Sequence, residues 1–116
     1  MSVKTNHDPE EAEEVFRLHS DICKVLSNPL RLKVINLLRG GELKVSSISE
    51  SLHAGMGNLS QHLALMKKAK ILTSRKEGQE VYYRLRNPKI LTAFDTLREI
   101  LFEEIRREGE LIKGMK

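Results

Sequence analysis

The hydrophobic pattern of this chain changes period once and then changes back. Up to about Ala69, apolar residues recur every three or four positions, as on amphipathic helices. Across Ile71 to Arg86 they alternate, and after Asn87-Pro88 the helical spacing returns. Such a pattern specifies a mainly α chain interrupted by one small β-hairpin. In the alternating stretch, "ILTSRK" and "EVYYRLR" flank Glu77-Gly78-Gln79. Val81, Tyr83 and Leu85 take one face, while Glu80, Tyr82, Arg84 and Arg86 take the other. Gly78 is expected at the tip, because tight hairpin turns need a residue that tolerates positive φ. The hairpin would project Arg75, Lys76 and Arg84.

Four helices are expected before the hairpin. The first spans Pro9 to Leu26: Asp8 can cap it, Pro9 suits the first turn, and four early glutamates favour a helix start. The second begins at Pro29 behind a candidate cap, Asn28. Leu30, Leu32, Val34, Ile35, Leu37 and Leu38 are expected to supply its core side, and it stops at Gly40-Gly41. A short third helix is expected from about Ser47, capped by Ser46 or Ser47, with Ile48 and Leu52 facing inward.

The fourth, within "GMGNLSQHLALMKKAKIL", is unusual. At about 100° per residue, Met56, Leu59, Leu63 and Met66 share the buried side. Gly57, Ser60, Gln61, Ala64 and Lys68 fall opposite, a face of small, amide-bearing and basic side chains. His62 lies at the flank of the buried side, a structural position from which it could also touch phosphate. The last helix is expected from about Lys89 to Arg107, with an apolar stripe of Ile90, Phe94, Leu97, Leu101 and Ile105. Leu91, Ile100 and Phe102 widen that stripe beyond what one small core needs. The excess is expected to form a dimer surface shared with the first helix.

Charge is unevenly placed. Residues 1–30 carry a net −3, residues 31–86 a net +7, and residues 87–116 a net of zero. The basic segment is the one that holds the bare-faced helix and the hairpin, as a phosphate backbone would require. Two short helices in succession, followed directly by a basic hairpin, read as a winged helix-turn-helix. The major groove admits one helix, and bulky side chains would hold it away from base edges. Met56, Gly57, Asn58, Ser60 and Gln61 are therefore candidate groove contacts. Lys67, Lys68, Arg75 and Lys76 are assigned to phosphates, and Gln79 at the tip to the minor groove.

Three segments together, "LSNPLRLKVINLL", "LSQHLALMKKAKIL" and "RKEGQEVYYRL", resemble the ArsR/SmtB family of winged-helix repressors. The resemblance covers roughly Leu26 to Leu85. It implies a homodimer, paired through residues 9–26 and 89–107 of a single domain spanning 1–116. It also implies binding to an imperfect inverted repeat in double-stranded operator DNA, released by a metal or thiol-directed signal. Where relatives have polar residues this chain has Gly55, Met56 and Gly57, and where many have a terminating glycine it has Lys70. The family's thiolate site lies in the third helix, but "ELKVSSIS" has no cysteine. Its alternative site uses Asp/His pairs on the last helix, where this chain has no histidine. Asp95 and Glu99 alone make a poor transition-metal site.

Cys23 remains, four residues after His19 on the first helix. The pair, doubled in a dimer and joined by His7 or Asp8, could hold zinc, cadmium or copper. Alternatively the thiol is a redox sensor or, as is ordinary for a free cysteine, a small buried core residue. One cysteine allows no intrachain disulfide, which fits a reducing cytoplasm. There is no run of about eighteen apolar residues to span a membrane, and the N-terminus has no apolar signal segment. No catalytic constellation is visible. The competing expectation is a winged-helix interaction module of a larger assembly, with weak or no specific DNA binding.

Overall fold

Each of the first two helices starts where a side chain replaces a missing backbone partner. The computed structural model describes residues 8–114, with side chains through residue 110. In α1, Pro9–Leu26, the Glu11 amide donates to Asp8 Oδ1 at 2.7 Å. In α2, Pro29–Leu37, the Arg31 amide donates to Asn28 Oδ1 at 3.1 Å. Both helices begin on a proline, whose absent N–H would have been unpaired anyway. A 3-10 turn, Leu38–Gly40, ends α2, and Gly41 comes after it at φ 122°.

Next comes a strand that periodicity did not reveal: β1, Leu43–Lys44. It runs straight into α3, Val45–Leu52, so Lys44 is the cap residue and makes no side-chain cap bond. The expected serine cap is therefore corrected, since pairing of Leu43 with Tyr83 and Lys44 with Tyr82 extends the chain up to the helix start. His53 closes α3 at φ 52°, and α4 spans Met56–Lys68.

The hairpin comprises β2, Leu72–Glu77, and β3, Glu80–Leu85. Its register runs from Leu72 opposite Leu85 to Glu77 opposite Glu80, leaving Gly78-Gln79 as a two-residue loop. Gly78 sits at φ 63°, as a type II′ turn asks of its first central residue. The sheet order is β1-β3-β2, all antiparallel. Val34, Ile35, Leu38, Ile48, Leu59, Leu63, Met66, Ile71, Leu72 and Leu85 form the core, whereas Leu32, expected among them, is exposed because it falls on the outer side of α2 from Val34 and Ile35.

Among the described residues, two compact units divide between Arg86 and Asn87. The second holds α5, Ile90–Gly114, seven residues longer at its end than the sequence suggested. The extra length runs through Gly109, which weakens a helix without ending it. Leu97, Ile100, Leu101, Phe102 and Ile105 are exposed on α5. None of the described residues of α1 is buried, and Val15, Phe16 and Leu18 are exposed. No described helix is long and apolar enough to cross a membrane.

Candidate nucleic-acid interface

The buried side of α4 is Leu59, Leu63 and Met66, each fully buried. Met56, expected with them, is 49% exposed, because the first turn extends beyond the core that begins at Leu59. Gly57, Asn58, Ser60, Gln61, Ala64, Lys67 and Lys68 are all exposed. The helix starts at Gly55 with no side-chain cap, leaving first-turn amides for an outside acceptor. Neither Gly55 nor Gly57 has positive φ, and a methyl group added at either would meet nothing within 4 Å. The packing of the fold therefore does not require glycine at either position.

The end of α4 directs the chain into the hairpin. Lys70 adopts φ 65°, its amide donates to the Lys67 carbonyl at 2.9 Å, and the Ile71 amide donates to Met66 at 3.0 Å. This is a Schellman closure with a lysine where glycine is the unstrained choice. Buried Met66 and Ile71 supply its apolar contact positions.

Arg75 does not stand free. Its Nε donates to Glu42 Oε2 and its Nη2 to Glu42 Oε1, both at 2.8 Å, while Nη1 donates to Glu77. The guanidinium carbon also lies 4.5 Å from the Tyr82 ring centroid. Hydrogen bonding to the two carboxylates holds Arg75 firmly in its charged form and lowers the Glu42 carboxyl below its ordinary range. Charge patterning alone assigns Arg75 to phosphate, and it misses Glu42 because that residue is distant in the chain. The signal was an acidic residue within the basic segment, just ahead of the third helix. No ion pair among the described residues engages Lys67, Lys68, Lys70 or Lys76. Lys76 and Gln79 are exposed on the hairpin.

His62 takes the structural role. Its Nδ1 accepts from Arg31 Nε at 3.0 Å, and Arg31 Nη1 donates to the Val25 carbonyl at 2.8 Å. The sequence offered only one hint of this, a basic residue inside the first turn of an apolar helix.

Cys23 is exposed, which corrects the reading of it as a core residue. It lies on α1, which contributes no buried side chain, so the usual burial of free cysteine does not apply. His19, one turn earlier, is also exposed. His7 lies outside the described residues. Among the described residues, no three His, Cys, Asp or Glu side chains gather where they could hold a metal ion.

A family model described as bacterial regulatory protein, arsR family, matches residues 28–74. The transcriptional repressor SdpR of Bacillus subtilis is 32% identical over 66 residues, 57% of this chain and 73% of SdpR. The cadmium resistance transcriptional regulatory protein CadC of Listeria innocua is 36% identical over 77 residues, 66% of this chain and 65% of CadC. The solved structure of reduced HlyU from Vibrio cholerae is similar with a TM-score of 0.69 at 28% identity, covering 78% of this chain and 96% of HlyU.

Proposed function

This chain belongs to the arsR family of bacterial regulatory proteins, winged helix-turn-helix regulators of transcription, and we propose that it is a homodimeric repressor reading its operator through α4. The carrying observation is the exposed face of Gly57, Ser60, Gln61 and Ala64, whose glycine answers no need within the fold. In this reading Gln61 and Asn58 pair with base edges, for which their amides suit adenine. Met56 and Ser60 line the same groove. The uncapped start of α4, Lys67, Lys68 and Lys76 meet phosphates, and Gln79 at the hairpin tip enters the minor groove. Arg75 contributes through the hairpin's attachment to Glu42 rather than through a phosphate.

Dimerisation falls to residues 9–26 and to the last helix. The exposed Val15, Phe16 and Leu18 of α1, and Leu97, Leu101 and Ile105 of α5, support that assignment, because a second copy would remove them from water. The signal is assigned to Cys23, exposed on the single chain, with His19 one turn earlier on the same face of α1. A metal fits less well. Soft ions want several thiolates and zinc wants four ligands, whereas among the described residues no three His, Cys, Asp or Glu side chains gather. We therefore favour covalent thiol chemistry over coordination.

A binding assay on the protein's own upstream DNA tests the proposal. A dimer should shift that DNA, with affinity falling steeply as salt rises, and thiol modification should release wild type but not Cys23→Ser. An interaction module would show neither selectivity nor salt dependence, and that outcome would replace the present reading. Equal release of wild type and Cys23→Ser would remove Cys23 from the sensor role.

A further inference from the structure

Resting on the reading of α4 as the base-contacting helix, we propose that Arg31 is a positioning residue that ties the last turn of α1 to α4 and sets the rotation at which Gln61 is presented. Apolar burial holds α4 through Leu59, Leu63 and Met66, but such contact is non-directional. It leaves a helix able to roll by small angles, and base recognition does not tolerate that. A hydrogen bond is directional. Among the described residues, the Arg31 to His62 bond is the only side-chain hydrogen bond that α4 makes. His62 adjoins Gln61 in sequence, so fixing its ring restrains the rotation of the helix and with it the direction in which the Gln61 side chain leaves the backbone.

Arg31 is well suited to this. Asn28 caps α2 by accepting from the Arg31 amide at 3.1 Å, which anchors the backbone from which the side chain projects. A guanidinium has donors only. It can therefore satisfy two acceptors on two other helices at once, the Val25 carbonyl at 2.8 Å and His62 Nδ1 at 3.0 Å. Arg31 is half-buried, so water competes less for these bonds than it would at an exposed site. Val25 is two residues after Cys23, in the final turn of α1. A change that moves that turn draws on Arg31, and through it on the ring that orients α4.

The test uses the full chain as wild type, Arg31→Ala, His62→Ala, His62→Asn and the double alanine variant. Operator and random-sequence binding are measured by fluorescence anisotropy, with a thermal melt beside each. Arg31→Ala and His62→Ala should each lower the ratio of operator to random-DNA affinity by about ten-fold or more, as expected for losing a hydrogen bond to a charged group. Binding to random DNA and its salt slope should hold. The double variant should be no worse than Arg31→Ala, because the bond that His62→Ala removes is already lost there. His62→Asn, whose amide oxygen can replace Nδ1 as acceptor, should recover most of the selectivity. Should Arg31→Ala not fold, Arg31→Lys can reach only one of the two acceptors and should show the same loss. A selective wild type beside an equally selective Arg31 variant, an additive double variant, or a His62→Asn as poor as His62→Ala would each overturn the inference alone. A wild type that does not prefer operator would overturn the reading of α4 along with it.

Discussion

Replacing Gly57 by alanine should move stability and DNA affinity in opposite directions. Gly57 is the second residue of α4, has ordinary helical backbone, and has open space where a methyl group would go. Alanine is favoured over glycine by about 1 kcal/mol in a helix interior, and near a terminus about half of that is expected. For a domain of this size, about 0.5 kcal/mol raises the melting temperature by roughly 2–4 °C. The same methyl group would stand on the face proposed to enter the groove. Holding the helix off enough to lose one good base contact costs about 1–3 kcal/mol for each half-site. Operator affinity should thus fall by about ten-fold or more, since each 1.4 kcal/mol is a factor of ten. Random-sequence binding should barely change. Calorimetric melts and anisotropy titrations on one preparation measure both quantities. A Gly57→Ala protein that melts higher and binds operator undiminished would refute the reasoning, because the glycine would then serve neither the fold nor the groove.

Lys68→Ala should remove one phosphate contact per subunit and flatten the salt dependence by about 0.9 for each, or about 1.8 for a dimer, which is about a 12-fold change in relative affinity over a four-fold rise in salt. Arg75→Ala should leave that slope unchanged, since Glu42 and Glu77 already engage the guanidinium. An equal loss in slope would show that it swings to the backbone on binding. Lys70→Gly should stabilise the protein by about 0.5–1 kcal/mol in denaturant titration, the relief of left-handed strain exceeding the entropy lost with glycine. Leu63→Ala, at a fully buried position, should cost about 2–5 kcal/mol by the same measurement.

The parts of the fold that repeat were legible, and those that depend on single distant contacts were not. The buried side of α4 came from spacing, because Leu59, Leu63 and Met66 recur at the helical period. Alternation around Gly78 gave the hairpin, but Glu77 pairs with Glu80, so the loop is two residues and not the three expected. Strand β1 left no trace, since two residues cannot display a period and Leu43-Lys44 is extended by its pairing with Tyr83 and Tyr82. The α3 start was misjudged for the same reason. Ser46 and Ser47 have the chemistry of caps, but the strand delivers the chain to Val45 already poised to turn. Cys23 defeated a composition rule, because burial belongs to a helix's surroundings and not to the thiol. In the candidate interface, the bare face could be read directly. The partnerships of Arg75 with Glu42 and of Arg31 with His62 could not, for they join residues 33 and 31 positions apart.

The closure after α4 has a mechanical consequence. The Ile71 amide ends the helix on Met66, and the Ile71 carbonyl accepts from the Arg86 amide at 2.9 Å, at the base of the hairpin just after β3. One residue thus belongs to both elements, with no slack between them. If α4 and the hairpin both meet the duplex as proposed, the spacing between their contacts is set at this one residue, and a site of different groove width would call on deformation of the nucleic acid.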